Sequence, residues 1–101
     1  MSKHVRVKAE LKENGSSKMK VIGNSMLPKI KSGSLLTCEP RKSYEVGDNV
    51  FCKVKGRTID AHLVTKKDSL GRYLIANNHG HENGWTKTIW GKVVKIEEPK
   101  T

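Results

Sequence analysis

Apolar and polar positions alternate in short runs along this chain, with turn residues between the runs. Val5, Val7, Ala9 and Leu11 alternate with Arg6, Lys8 and Glu10, the period of a half-exposed strand. Glu13 to Ser17 reads as a turn, residues 18–23 as a second strand, and Ser25 to Ile30 as one helical turn. Leu35 to Cys38 is a short apolar strand closed by Pro40. Asn49 to Val54 and Thr58 to Thr65 form a hairpin across Lys55-Gly56. Tyr73 to Ala76 is a strand, Asn77 to Lys87 a polar loop, and Thr88 to Ile96 the last strand, with a bulge or close approach at Gly91. No long stretch has the helical period. The pattern predicts an all-β fold, a coiled antiparallel sheet or small barrel. Its core is expected from Val21, Ile22, Leu36, Val50, Ile59 or Ala61, Val64, Ile75, Trp90 and Val93.

Composition narrows this picture. A chain of 101 residues suits one domain, with 35% hydrophobic residues enough for one small core. Residues 1–17 read as a basic strand and turn of that same domain, 18–97 as its β body, and 98–101 as a frayed tail. No apolar run approaches the roughly 18 residues of a membrane span. The N-terminal segment is charged and has no apolar stretch of the secretory kind. A soluble, cytoplasmic protein with no membrane partner is expected. Cys38 and Cys52 fall in separate strands, which allows a disulfide if those strands are neighbours. In the cytosol, two reduced and partly buried thiols are the expected state.

The formal net charge is +10 and the pI about 9.8, a balance that favours acidic partners or simply serves solubility. Cations recur at alternate positions: Arg6 and Lys8, Lys18 and Lys20, Lys29 and Lys31, then Lys53, Lys55 and Arg57. On strands these would line one face, where a nucleic acid or an acidic protein could bind. With so few aromatics, no stacking platform for single strands is evident, although Trp85 in the polar loop could line a groove.

The candidate chemistry centres on Gly23-Asn24-Ser25-Met26-Leu27-Pro28. It follows an apolar strand and ends at a proline. Such a segment is an ordinary Ser/Asn/Gly turn, or a tight turn that holds a serine rigid and exposed as a nucleophile. Further on stand KSGSLLTCEP at 31–40, YEVGDNVFCKV at 44–54, TIDAHLV at 58–64, LIANNHG at 74–80 and IWGKVVKI at 89–96. In order and spacing these boxes resemble the signal peptidases and LexA-type self-cleaving repressors. The resemblance covers residues 19 to 96. It implies that family's β fold, a serine nucleophile at Ser25, and a general base on the strand holding His62.

The resemblance has departures. The family's usual lysine base is replaced by His62, as in the archaeal and endoplasmic-reticulum signal peptidases, and the following arginine by Leu63. Its Gly-Asp after the nucleophile box reads Gly33-Ser34, and its Gly-Asp-Asn loop reads Ala76-Asn77-Asn78. Asn77, Asn78, His79 and Glu82 are candidates to orient the base, and Asn24 and Ser34 to help an oxyanion hole. The expected substrate is a polypeptide bound as an added strand, with cleavage after small residues. The alternative is a catalytically idle copy of the fold that binds nucleic acid or an acidic protein through its basic face. His79-Gly80-His81 matches no paired zinc-ligand spacing, so neither metal nor cofactor is expected.

Overall fold

The computed structural model describes residues 3–21 and 30–99. One helix, α1 (Lys3–Asn14), precedes seven strands: β1 (Ser17–Lys20), β2 (Leu35–Glu39), β3 (Asn49–Val54), β4 (Arg57–Lys67), β5 (Tyr73–Ala76), β6 (Glu82–Thr86) and β7 (Ile89–Glu97). They form one antiparallel sheet in the order β1-β2-β7-β3-β4-β5-β6, curled into a half-barrel. The predicted all-β sheet is therefore present, with one helix added.

That helix replaces the strand expected over Val5 to Leu11. The apolar residues there satisfy both periods, but only Val7 and Leu11, four apart, are buried, while Val5 is exposed. The intervening Lys, Ala and Glu are good helix formers. Arg6 and Glu10 pair across one turn at 2.8 Å. Gly15, at φ 73°, ends the helix by donating its N–H to the Leu11 carbonyl at 3.1 Å. Glu10 also accepts from the Ser17 hydroxyl at 2.5 Å, which ties the helix to β1. Arg6 and Lys8 consequently do not share a face, since two helical residues diverge by about 200°.

Two apolar clusters lie on opposite faces of the sheet. The first joins Val7 and Leu11 of α1 to Met19, Val21, Ile30, Leu36, Cys38, Phe51 and Ala61. The second holds Tyr44, Val50, Cys52, Val54, Val64 and Ile75. Phe51 serves one and its neighbours Val50 and Cys52 the other, so β3 is covered on both sides and reads as an unbroken apolar run. Of the expected core, Val21, Leu36, Val50, Ala61, Val64 and Ile75 are buried; Ile59, Trp90 and Val93 pack at the margins. Ile22 lies outside the described residues.

The hairpin turn falls at Lys55-Gly56, with φ of 50° and 80° and Val54 opposite Arg57. Two positive φ values in a two-residue loop are those that match strand twist. The polar loop expected at Asn77 to Lys87 is shorter, because β6 occupies Glu82–Thr86. Alternation is weak there, since Asn83 and Gly84 interrupt it. Cys38 on β2 and Cys52 on β3 are separated by β7, and both are free and buried.

Candidate active site

β4 is the strand on which the two faces acquire different chemistry. Opposite β3, Val50 faces His62 and Cys52 faces Ile59, so β4 holds one residue more than β3 between these pairs. This bulge changes the strand's phase. Asp60 reaches the helix side, where it meets Lys3 at 2.9 Å and His4 at 2.5 Å. His62, opposite Val50, lies on the side of the second cluster.

The half-buried His62 ring holds its Nδ1 2.8 Å from Asn83 Oδ1. Asn83 lies in a second bulge. On β5, Ile75 faces Gly84 and Ala76 faces Glu82, which leaves Asn83 as the extra residue of β6. A bulge re-aims a side chain, and here it directs the amide onto the imidazole. The next residue, Gly84, sets how closely β6 approaches the β3–β4 hairpin. At φ 135°, a Cβ on it would fall 3.0 Å from Lys55 Cε and 3.1 Å from Val54 Cγ1. The Thr86 hydroxyl then donates to the Lys53 carbonyl at 2.5 Å, and Lys53 N–H donates to the Thr88 carbonyl at 3.0 Å. These contacts fold the end of β6 back over β3.

With Oδ1 toward the ring, Asn83 accepts a hydrogen bond from Nδ1–H. This leaves Nε2 as the basic nitrogen of the neutral imidazole. Asn83 was not among the residues expected to orient the base. The only signal was its place in the polar segment, and nothing in the sequence marks the bulge that aims it.

The expected partners occupy other places. Asn77 Oδ1 accepts from the backbone N–H of His79 at 2.9 Å and of His81 at 3.0 Å, shaping the β5–β6 turn. Asn78 is half-buried beside it; His79 and Glu82 are exposed. Ser34 is fully buried, and its hydroxyl has no hydrogen-bond partner among the described residues. Its backbone grips the residue that leads into the serine box: Val21 N–H donates to the Ser34 carbonyl at 3.0 Å, and Gly33 N–H to the Val21 carbonyl at 2.7 Å. Asn24, Ser25 and Lys29 lie outside the described residues.

The Tyr44-to-Asp48 box is a turn. Glu45 N–H donates to Asp48 Oδ2 at 2.9 Å, Gly47 adopts φ 100°, and Asp48 pairs with Lys92 at 3.0 Å. Its motif character thus comes from turn geometry and strand anchoring.

Burial raises the Asp60 carboxyl, but hydrogen bonds from Lys3 and His4, with their charges, hold it below the ordinary carboxylate value. Burial, reinforced by the Asp60 charge, pushes the Cys38 thiol up to about 11. Burial alone pushes Cys52 to about 12. Neither thiol is disposed to act as a nucleophile.

The expected basic residues among those described fall into three groups. Arg6 is engaged with Glu10, while Lys18 reaches Glu97 at 4.0 Å and Lys31 reaches Glu98 at 3.6 Å. Lys20, Lys53, Lys55 and Arg57 are exposed and make no ion pair among the described residues. Lys8 sits 4.0 Å from the centre of the Trp90 ring. No group of three or more His, Cys, Asp or Glu side chains converges to hold a metal among the described residues. Nor, among them, is any helix long and apolar enough to cross a membrane.

None of the curated proteins matches the chain closely enough to count as a relative. The family model described as Peptidase S24-like matches residues 2–94, nearly the whole chain, on the curled β sheet just described, and the chain belongs to that family.

Proposed function

We propose that this protein is a serine peptidase in which Ser25 is the nucleophile and His62 its general base. The observation that carries the reading is the His62–Asn83 pair at 2.8 Å. A neutral amide that accepts from Nδ1–H selects the tautomer whose Nε2 can take a proton. The Cys-His-Asn peptidases assign their amide the same task. Family membership supplies the peptidase context.

In this mechanism Ser25 Oγ attacks the scissile carbonyl while His62 Nε2 takes its proton. The negative charge that develops on the carbonyl oxygen is met by N–H groups near the serine and by the Ser34 hydroxyl. A buried hydroxyl with no partner among the described residues suits this role, because the substrate oxygen then satisfies it. His62 gives its proton to the leaving amine as the C–N bond breaks. Water, deprotonated by His62, hydrolyses the acyl-enzyme and regenerates Ser25. The substrate is a polypeptide laid as an extra strand beside the site, with a small residue before the cleaved bond.

A fluorophosphonate probe tests the reading. It should label the wild type at Ser25, found by peptide mapping, and leave Ser25→Ala unlabelled and His62→Ala almost so. Labelling elsewhere, or none on folded protein, overturns it.

One observation favours a second reading, a binding module. Lys53, Lys55 and Arg57 cluster at one hairpin without carboxylate partners among the described residues, and Trp85 in the strand folded over that hairpin is exposed. If a nucleic acid binds there, affinity should fall with salt with a log–log slope of about −0.9 per phosphate contacted on duplex DNA. Charge reversal at those three residues should weaken it, and Ser25→Ala should not.

A further inference from the structure

Away from the His62 side, a groove of about 500 Å³ opens where α1 packs beside β7. Lys8, Leu11 and Lys12 form its helical wall; Pro40, Ile89 and Trp90 form the other. The Trp90 ring packs on Phe51 with ring centres 4.9 Å apart, which fixes it from below. Lys8 Nζ lies 4.0 Å from its centre.

Three features make this a built recess. Trp90 is a bulge residue: Phe51 faces Gly91 and Cys52 faces Ile89, so no residue of β3 stands opposite it. The ladder between β2 and β7 ends at Glu39 opposite Lys92, and Pro40 follows. Ile89 and Trp90 therefore have no ladder partner in β2 on that edge. At Gly91, a Cβ would fall 3.1 Å from the Glu39 carbonyl and 3.4 Å from Leu11 Cδ2. Glycine at this position lets the strand sit close beneath the helix.

The charges point to the occupant. Lys8 and Lys12 stand one turn apart on the same helix face and make no ion pair among the described residues. Two carboxylates near the groove are taken, Glu39 by Arg41 at 3.0 Å and Glu10 by Arg6 and Ser17. Lys8 and Lys12, beside the apolar surface of Leu11, Ile89 and Trp90, match an apolar side chain flanked by two carboxylates. A nucleic acid backbone would want a longer row of cations and offers nothing to fill an apolar floor.

We propose that this groove is a docking site for an extended acidic segment of another protein. Its apolar residue seats against Trp90, and its flanking carboxylates pair with Lys8 and Lys12. The +10 net charge speeds the encounter, and the half-buried tryptophan anchors it. This docking is independent of the peptidase reaction.

The probe is a fluorescein-labelled peptide of Asp and Glu residues flanking Leu-Phe, followed by anisotropy at about 0.1 M salt, where long-range attraction is screened. Saturable binding is expected. Lys8→Glu with Lys12→Glu should weaken it about tenfold or more, whereas Lys53→Glu with Lys55→Glu should change it less than about twofold. Replacing Leu-Phe by Ser-Ser should also cost about tenfold. In a Trp85→Phe background, Trp90 is the sole tryptophan, and its emission should shift on binding. If the double reversal at Lys8 and Lys12 does not fold, Lys12→Glu alone, at an exposed position, must still weaken binding. Three results overturn the proposal: equal binding of the Ser-Ser peptide, equal loss from the Lys53 and Lys55 reversals, or no binding. So does a short DNA duplex that binds in preference to the peptide with the same dependence on Lys8 and Lys12.

Discussion

His4 and His62 flank the same strand and share one kind of contact, a ring nitrogen against a side-chain oxygen. His4 meets Asp60 at 2.5 Å and His62 meets Asn83 at 2.8 Å. The partners differ in charge. Asp60 is a carboxylate that also holds Lys3, so it fastens the first turn of α1 to β4. That turn contains no acidic residue of its own. A carboxylate placed there offsets both the cations and the positive end of the helix dipole. Asn83 carries no charge. It holds the imidazole without adding an anion beside it, which suits the proton transfer proposed for His62. One histidine stands on a helix and the other on β4, and the partner each meets differs in charge. One bulge in β4 and another in β6 decide which partner each histidine meets.

The sharpest way to break the comparison is to remove the two rings in turn. His62→Ala should lower peptidase turnover by about 10³-fold or more with little change in thermal stability. His4→Ala should leave turnover within about twofold, because nothing in the proposed chemistry passes through it. A peptide-cleavage assay on both variants measures this. Equal losses would erase the distinction between the two pairs.

A smaller effect should follow at Gly84. Gly84→Ala places a Cβ against Lys55 and Val54 at a φ that side chains rarely adopt. A destabilisation of about 1–3 kcal/mol is expected in urea unfolding. Turnover of the folded variant should drop about 10-fold, because Asn83 shifts with the strand. Asn83→Ala should reproduce the loss of turnover without the destabilisation. If both variants keep full activity, the amide does not orient the base.

Weaker still is the ion cluster. Asp60→Asn should cost about 1 kcal/mol, since its partners are partly exposed and solvent screens them. The sign with pH follows from the depressed carboxyl. Its contribution is complete above the ordinary carboxylate pKa and is lost as pH falls through the lower folded value. The stability difference between wild type and Asp60→Asn should thus vanish in acid, with the helical circular-dichroism signal lost first.

The smallest expected effect in the native state is at the thiols. Both are raised above the ordinary value of 9.0, so native protein favours their protonated form. Their contribution is present below that pH and declines as pH rises toward about 11 and about 12. At pH 8, Cys38 and Cys52 should react with a thiol reagent only as fast as the protein unfolds. Rapid labelling of folded protein would show the helix side to be open if it falls on Cys38, and the opposite face if it falls on Cys52.

Several features followed from the sequence alone because their causes are local. The β3–β4 hairpin follows from Lys55-Gly56 between apolar runs, and β5 from Tyr73 to Ala76 between turns. Gly91 marks a close approach, since a Cβ there would crowd the Glu39 carbonyl at 3.1 Å. The order of the boxes pointed to the peptidase fold, and the family match agrees. His62 lies on the face opposite Ala61 and Leu63, as the period-two alternation of residues 59–64 requires of a strand.

Other features were decided only by tertiary contacts. Val5 to Leu11 fits a strand or a helix equally well by alternation; packing of Val7 and Leu11 against Phe51 and Met19 selects the helix. β6 formed in a segment that reads as loop because β5 and the β3–β4 hairpin supply its partners. Asp60 and Asn83 gained their roles from bulges. A bulge arises from mismatch between paired strands, so neither strand's sequence carries it alone.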